Sequence, residues 1–385
     1  MTRWPHFDED QIAAVSAVLR SGKVNAWTGP DVTAFEEEYS AAIGVKHALA
    51  LANGSVTLNT ALHCLDLQPG DEVIVTPRTF IASASCLLLF GAIPVFAEID
   101  ADTQNITPET IAPLITERTK GIIPVHLAGW PCDMPAIMDL ANEHGLWVIE
   151  DCAQAHGAMI GDRHVGTFGT FGSFSFCQDK IMTTGGEGGL LVTNDTALWS
   201  KAWSYKDHGK DYDTVHNTDH PPGFRWLHEH IGTNLRMTGL SAALGRVQLV
   251  RLNHWRDVRT RNAKILAKAL QQSALFRVPM PDDSVTHAFY RFYCFVRPEN
   301  LAPGWSRDRI VAEISEAGFP AFSGSCSEIY LEKVFSNNGI TPDGLPVAQE
   351  LGETSLAFLV DPTWSEEEMN DLANCILAIS HDATA

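Results

Sequence analysis

The 385-residue chain has eight cysteines (Cys64, Cys86, Cys132, Cys152, Cys177, Cys294, Cys326 and Cys375) and no C-x-x-C pair among them. That scatter offers neither a zinc framework nor a disulfide scaffold, and it reads as reduced thiols in a cytoplasm. Positive charge is also scarce: 27 Lys and Arg stand against 47 Asp and Glu, a formal net charge of −20 at pH 7. Non-specific binding to nucleic acid or to an anionic membrane needs clustered Lys and Arg, so no partner of either kind is expected. Apolar runs such as Cys86-Leu87-Leu88-Leu89-Phe90 are far too short to span a bilayer. The opening MTRWPHFDEDQ is acidic and has no apolar h-region, so no secretory signal is expected. There is no P-loop, no G-x-S-x-G elbow, no internal repeat and no low-complexity segment, and GGEGG (Gly185 to Gly189) lacks dinucleotide-binding spacing. His228-Glu229-His230 lacks the H-E-x-x-H spacing that puts two imidazoles on one helix face, so a surface loop and no metal are expected there.

What is present describes an ordinary globular protein, 45% hydrophobic and 19% charged. The length exceeds what one core usually organises, which predicts two domains, residues 1–250 and 251–385. Strand-like runs recur at His47 to Ala52, Glu72 to Thr76, Ile93 to Phe96, Gly121 to Val125, Leu146 to Ile149, Gly172 to Phe176 and Gly189 to Val192. Helical spacing occupies Ala82 to Phe90, Thr107 to Ile115 and Cys132 to His144 between them. Alternation of this kind predicts an α/β fold with a mostly parallel sheet, whose active site lies beyond the carboxyl ends of its strands. Trp203 to His230, including HPPGFRW, reads as a long functional loop. Met237 to Leu266 reads as a long helix leaving the large domain. Phe289 to Val296, Arg307 to Glu316 and Ser365 to Leu377 read as a strand and two helices of a smaller α/β domain.

The chemistry concentrates between Leu146 and Asn194. The run Leu146 to Ile149 delivers Asp151 from a strand tip, and Gly172 to Phe176 is followed by Lys180 in a Gly-rich setting. A lysine amine that can condense with an aldehyde, with a carboxylate to pair with a pyridinium nitrogen, is the apparatus of a pyridoxal phosphate enzyme. Asn53-Gly54-Ser55, between a strand and a helix, is either an anion site made by free N–H groups or a routine capping turn.

Four motifs in order, EDCAQAHGA (Glu150 to Ala158), SFSFCQDK (Ser173 to Lys180), GEGG (Gly186 to Gly189) and IGTNLRMT (Ile231 to Thr238), give the chain its resemblance to the DegT/DnrJ/EryC1/StrS sugar aminotransferases. The resemblance implies a pyridoxal phosphate-dependent transferase of fold type I: a mostly parallel seven-stranded sheet in the large domain and a small C-terminal α/β domain. It implies that Lys180 carries the cofactor, Asp151 meets the ring nitrogen and Gln154 the ring hydroxyl, unless Gln154 is merely a helix-face amide. Gly54, Ser55 and Ser175 would hold the phosphate. Phe80 would stack on the ring or be a core phenylalanine. Asn234 resembles an asparagine given to the phosphate by a partner subunit, which implies a homodimer with shared sites; Arg236 would serve that region or pair at the interface. Two stretches depart from the usual pattern: the doubled Gly185-Gly186, and GSCSEIYLEKVF (Gly324 to Phe335) where relatives carry a histidine.

The function so implied is transfer of an amino group from glutamate or glutamine to a nucleotide-activated keto sugar, for surface polysaccharide, lipopolysaccharide or amino-sugar biosynthesis. Arg78, Lys206, His208 and Arg225 are candidate anchors for the acidic parts of the substrates. Three alternatives stand beside it. The first is a cyclitol or aminohydroxybenzoate-type aminotransferase. The second is a pyridoxal phosphate sugar dehydratase, a branch in which histidine typically replaces the lysine. The third is a non-catalytic regulatory homologue that binds a sugar nucleotide.

Overall fold

The computed structural model describes residues 3–220, 222–223 and 225–385; Met1, Thr2, and Pro221 and Phe224 of the HPPGFRW stretch lie outside the described residues. The main sheet has seven strands: β1 (His47–Leu51), β2 (Glu72–Val75), β3 (Ile93–Phe96), β4 (Thr119–Ile123), β5 (Trp147–Asp151), β8 (Phe171–Ser175) and β9 (Gly189–Thr193). Their order is β1-β9-β8-β5-β4-β2-β3. Five of these strands are short apolar runs buried along nearly their whole length, β4 exposes only Lys120 and edge strand β3 is half-buried, the pattern of a sheet covered by helices on both faces. β3, β2, β4, β5 and β8 pair in parallel, while β9 runs against both its neighbours, β1 and β8. No helix lies between β8 and β9. Without a crossover the chain returns from the edge it has just reached, so β9 must run back.

A second, antiparallel sheet carries β10 (Phe276–Arg277), β12 (Phe292–Val296), β14 (Ser355–Phe358) and β13 (Ala321–Phe322), in that order. A third joins the hairpin β6 (Met159–Ile160) and β7 (Arg163–His164) to β11 (Val285–Thr286), tying the two halves of the chain together. The helix Gly239–Leu270 spans the expected 250/251 boundary without a break and is about 48 Å long at 1.5 Å per residue. Thr238 caps its start by accepting from the Ser241 N–H at 3.2 Å. It packs first on the helices Glu9–Ser21 and Asp31–Ile43 and later on Glu366–Ala383, so both ends of the chain rest on one rod.

Two expectations from periodicity need correction. Trp203 to His230 is not loop throughout: the helix Thr196–Lys206 ends in it and the short helix Tyr212–His216 lies inside it. Trp203 is a core residue of these helices and Trp199 and Tyr212 pack half-buried against the same core, and large aromatic rings obscure the narrow apolar stripe that marks a surface helix. The strand expected from Phe289 begins only at Phe292, because Phe289 sits at φ +46° and breaks the extended run.

Candidate active site

The carboxyl ends of the parallel strands bring the expected residues to one edge. β1 leads into Asn53, whose side chain accepts from the Val56 N–H at 3.0 Å and opens the helix Gly54–Cys64. Among the described residues nothing accepts from the N–H groups of Gly54 and Ser55. The helix start lies directly on β8. A Cβ at Gly54 would stand 2.6 Å from Ser175 Cβ and 2.9 Å from its Oγ, and Thr57 Oγ1 lies 2.6 Å from Ser173 Oγ. Glycine is required there by space, and what results is a concave patch of free N–H groups beside a serine hydroxyl. Ser175 Oγ also accepts from the Cys177 N–H at 3.3 Å.

Asp151 ends β5, buried, with Oδ2 accepting from Ser83 Oγ at 2.8 Å and Oδ1 from the Ala153 N–H at 3.0 Å. Its neighbour Glu150 points the other way, as strand alternation requires. It accepts from the N–H groups of Gly166, Phe168 and Gly169, each at 2.7 Å, and from His126 Nε2 at 3.2 Å. His126 Nδ1 accepts from the Cys132 N–H at 3.0 Å, which puts the ring proton on Nε2. His126, Glu150 and Cys152 cluster closely enough for a metal ion, but the carboxylate and the imidazole are already committed to these bonds. Gln154 Oε1 accepts from the Ala128 N–H at 2.8 Å, which turns the amide NH2 away as a donor; among the described residues nothing accepts from it.

Lys180 follows β8 on the loop that returns to β9, and two residues far away in sequence, Trp4 and Tyr290, hold it. Trp4 Nε1 donates to the Lys180 carbonyl at 2.8 Å. The Tyr290 ring lies 5.0 Å from Nζ, and the Tyr290 hydroxyl donates to Asp179. Burial raises the Asp179 carboxyl, but the Lys180 charge, the Tyr290 hydroxyl and Arg291 outweigh it and hold the group below the usual carboxylate range. Behind β8, His156 Nε2 donates to the Ser175 carbonyl at 2.8 Å while Nδ1 lies 2.9 Å from the Tyr39 hydroxyl. Burial pushes His156 down to about 4. Phe80 is 68% exposed on the loop after β2, which removes the core alternative for it.

The four anchor candidates separate. Arg78 is fully buried, with Nε bonded to Gln104 Oε1 at 2.9 Å and Nη2 to Ser355 Oγ at 3.0 Å, so it braces the loop after β2 against the second sheet; Nη1 has no partner among the described residues but is closed off from solvent. Lys206 is buried 3.8 Å from Glu36 and is spent there. Both looked available because a charge in a loop-like stretch is usually solvated. His208 and Arg225 are exposed. Asn234 is exposed too, on a segment that pairs with Asp207, while Arg236 is ion-paired with Asp207 at 2.8 Å and bridges to Leu51. His228 and Glu229 lie in an exposed loop, bonded to the His208 carbonyl and to Thr214. Sequence reading missed Trp4, Tyr290, Asp179, His126 and His156, whose partners lie too far along the chain for any local signal.

The model of the DegT/DnrJ/EryC1/StrS aminotransferase family matches residues 5–377. The chain belongs to that family. A UDP-N-acetyl-3-dehydro-alpha-D-glucosamine 3-aminotransferase of Acidithiobacillus ferrooxidans is 36% identical over 348 residues, covering 90% of this chain and 88% of that protein. The structure of an aminotransferase from Psychrobacter cryohalolentis superposes with a TM-score of 0.97 at 52% identity, covering 99% of each chain. That of a 3-amino-5-hydroxybenzoic acid synthase gives 0.88 at 29% identity over 99% of each. As a DegT/DnrJ/EryC1/StrS aminotransferase the protein is a pyridoxal phosphate-dependent enzyme with this family's α/β fold. The donor set fits the cofactor: N–H groups and a hydroxyl in a cradle that a Cβ would fill, a buried carboxylate, a free amide donor, a lysine and an exposed ring. Among the described residues no helix is long and apolar enough to cross a membrane.

Proposed function

We propose that the enzyme transfers an amino group from glutamate or glutamine to a nucleotide-activated keto sugar. The observation that carries this is the gathering of Gly54, Asp151, Ser175 and Lys180 at one sheet edge, with the 3-aminotransferase of Acidithiobacillus ferrooxidans supporting the substrate class. Pyridoxal phosphate supplies, when bound, an aldehyde for an amine and an electron sink for the donor's α-carbon.

In this reading the Gly54 and Ser55 N–H groups, the Ser175 hydroxyl and Asn234 hold the phosphate. Phe80 would cover one ring face, Asp151 would keep a proton on the ring nitrogen and the Gln154 amide would donate to the ring hydroxyl. Lys180 Nζ carries the covalent link. Its free amine would remove the donor's α-proton and later return a proton toward the sugar carbon. His208 and Arg225 are the anchors left for acidic groups. Asn234 reaches the phosphate of a second copy, in a homodimer with shared sites. Trp226 and Ile231, on the same segment, are 85% and 83% exposed, as apolar residues of an interface are in a lone chain. The large domain is residues 1–250 and the small one 251–385; the scattered cysteines support a cytoplasmic enzyme, and the product serves polysaccharide or lipopolysaccharide assembly.

The purified protein should be yellow, lose that colour on borohydride treatment and carry the reduced adduct on the Lys180 peptide. Adduct at another lysine overturns the site. For the substrate, the pyridoxamine phosphate form is mixed in single turnover with a panel of keto sugar nucleotides and keto-cyclitols. Conversion by a cyclitol alone overturns the sugar reading. The fold shared with 3-amino-5-hydroxybenzoic acid synthase makes a non-sugar ring the second reading.

A further inference from the structure

Three separate parts of the chain meet at Gly129. A Cβ there would lie 2.9 Å from Ala288 Cβ, 3.0 Å from the Phe289 nitrogen and 3.1 Å from the Gln154 carbonyl oxygen. Ala288 and Tyr290 donate their backbone N–H groups to the carbonyls of Gly129 and Ala128, at 2.9 and 2.8 Å. Ala128, Gly129 and Phe289 all take left-handed conformations, at φ +57°, +93° and +46°. Two of these are side-chain-bearing residues, and such conformations persist only where the surroundings fix them. The same Ala128 donates to Gln154, and the same Tyr290 reaches Asp179 and Lys180.

We propose that Tyr290 is a positioning residue for Lys180, a coupling built on the assignment of Lys180 as the cofactor-bearing lysine. Its hydroxyl holds Asp179, the residue before the lysine, and its ring forms one wall beside Nζ. Its backbone is fixed to the Ala128–Gly129 turn that also aims Gln154. The lysine and the glutamine are thereby set relative to each other by one joint, supplied by the segment that enters the small sheet. Asp179 has a second tie, to Arg291 at 3.6 Å, and the Arg291 guanidinium lies 4.4 Å from the Tyr290 ring centre. The hydroxyl nevertheless fixes the carboxylate by a direct bond and Arg291 does not.

Tyr290→Phe keeps the buried ring and removes only the hydroxyl, and Asp179→Asn alters the other end. Apo-protein of each variant, of the double variant and of the wild type is mixed with pyridoxal phosphate, and the rate of Lys180 adduct formation is read by mass after borohydride quenching. Affinity for pyridoxamine phosphate, which lacks the aldehyde, is measured alongside, with melting temperature as a check on folding. Misplacing a reacting amine by a fraction of an ångström predicts about tenfold slower capture in each single variant. Pyridoxamine phosphate affinity should stay within about twofold, and the double variant should be no slower than the slower single one. Capture at the wild-type rate, additive slowing, or an equal loss of pyridoxamine phosphate affinity would each overturn the positioning role. A wild type that forms no adduct at Lys180 would instead overturn the assignment on which it rests.

Discussion

Gly54→Ala tests the cradle by adding a single carbon. The new Cβ would meet Ser175 Cβ at 2.6 Å and Oγ at 2.9 Å, where carbon atoms ordinarily approach no closer than about 3.5 Å. β8 cannot yield: Ser173 is paired with Asp151 on one side and Leu191 on the other, and Ser175 with Gly189. The helix start must therefore retreat by about 1 Å, carrying the N–H groups of Gly54 and Ser55 with it. Overpacking of this kind costs about 1–3 kcal/mol of stability, offset by at most about 1 kcal/mol from the better helix propensity of alanine. Losing one N–H bond to a charged phosphate costs about 1.5–3 kcal/mol of binding, a rise in Kd of about ten- to a hundredfold. Fluorescence titration with pyridoxal phosphate and with pyridoxamine phosphate measures the second quantity, and urea unfolding of the apo-protein the first. Because both closest contacts are to the Ser175 side chain, Gly54→Ala with Ser175→Gly should recover most of the lost stability. A single variant with unchanged Kd for both cofactor forms would refute the placement of the phosphate at this helix.

Glu150→Gln turns its one carboxamide NH2 toward two N–H donors in either orientation and should cost about 3 kcal/mol in urea unfolding, since a buried carboxylate with four donors is being undone; a loss below about 1 kcal/mol would contradict the geometry. Burial holds His156 at about 4, whereas an unfolded chain titrates near 6.5. Its folded pKa is the lower one, so stability is full above about 6.5 and falls as pH drops toward 4, by on the order of 3 kcal/mol, with buried His287 at about 3 adding to the loss. His156→Gln should melt lower at pH 7.5 yet lose less between pH 7 and 5; parallel melting curves would count against it. Trp4→Phe keeps the edge-on contact with Trp255 and removes the N–H that caps the Lys180 carbonyl, so it should cost about 1 kcal/mol and slow cofactor capture; wild-type capture with intact folding would sever the arm from the site.

The main sheet was legible because its strands are short apolar runs, four of which end at or just before a candidate site residue: Leu51 before Gly54, Val75 before Phe80, Asp151 itself, Ser175 before Lys180. The direction of β9 was not, since an apolar run reads alike both ways and only the missing crossover helix decides it. Arg78 and Lys206 misled for a common reason. A guanidinium or ammonium group in a polar stretch looks solvated until its distant partner is known, and Ser355 and Glu36 lie far along the chain. Tyr290, inside FYRFYCFV, reads as one more strand aromatic. Nothing local announces that Phe289 turns left-handed and delivers the next ring to Lys180.

The bond from Trp4 to the Lys180 carbonyl has a consequence for assembly. The indole emerges from the ribosome 176 positions ahead of the carbonyl it caps, and it packs against Trp255 and Arg259, which are made later still. The leading arm therefore waits, unanchored, through most of translation. The Lys180 carbonyl thus stays uncapped until the helix Gly239–Leu270, whose Trp255 seats the indole, has been made.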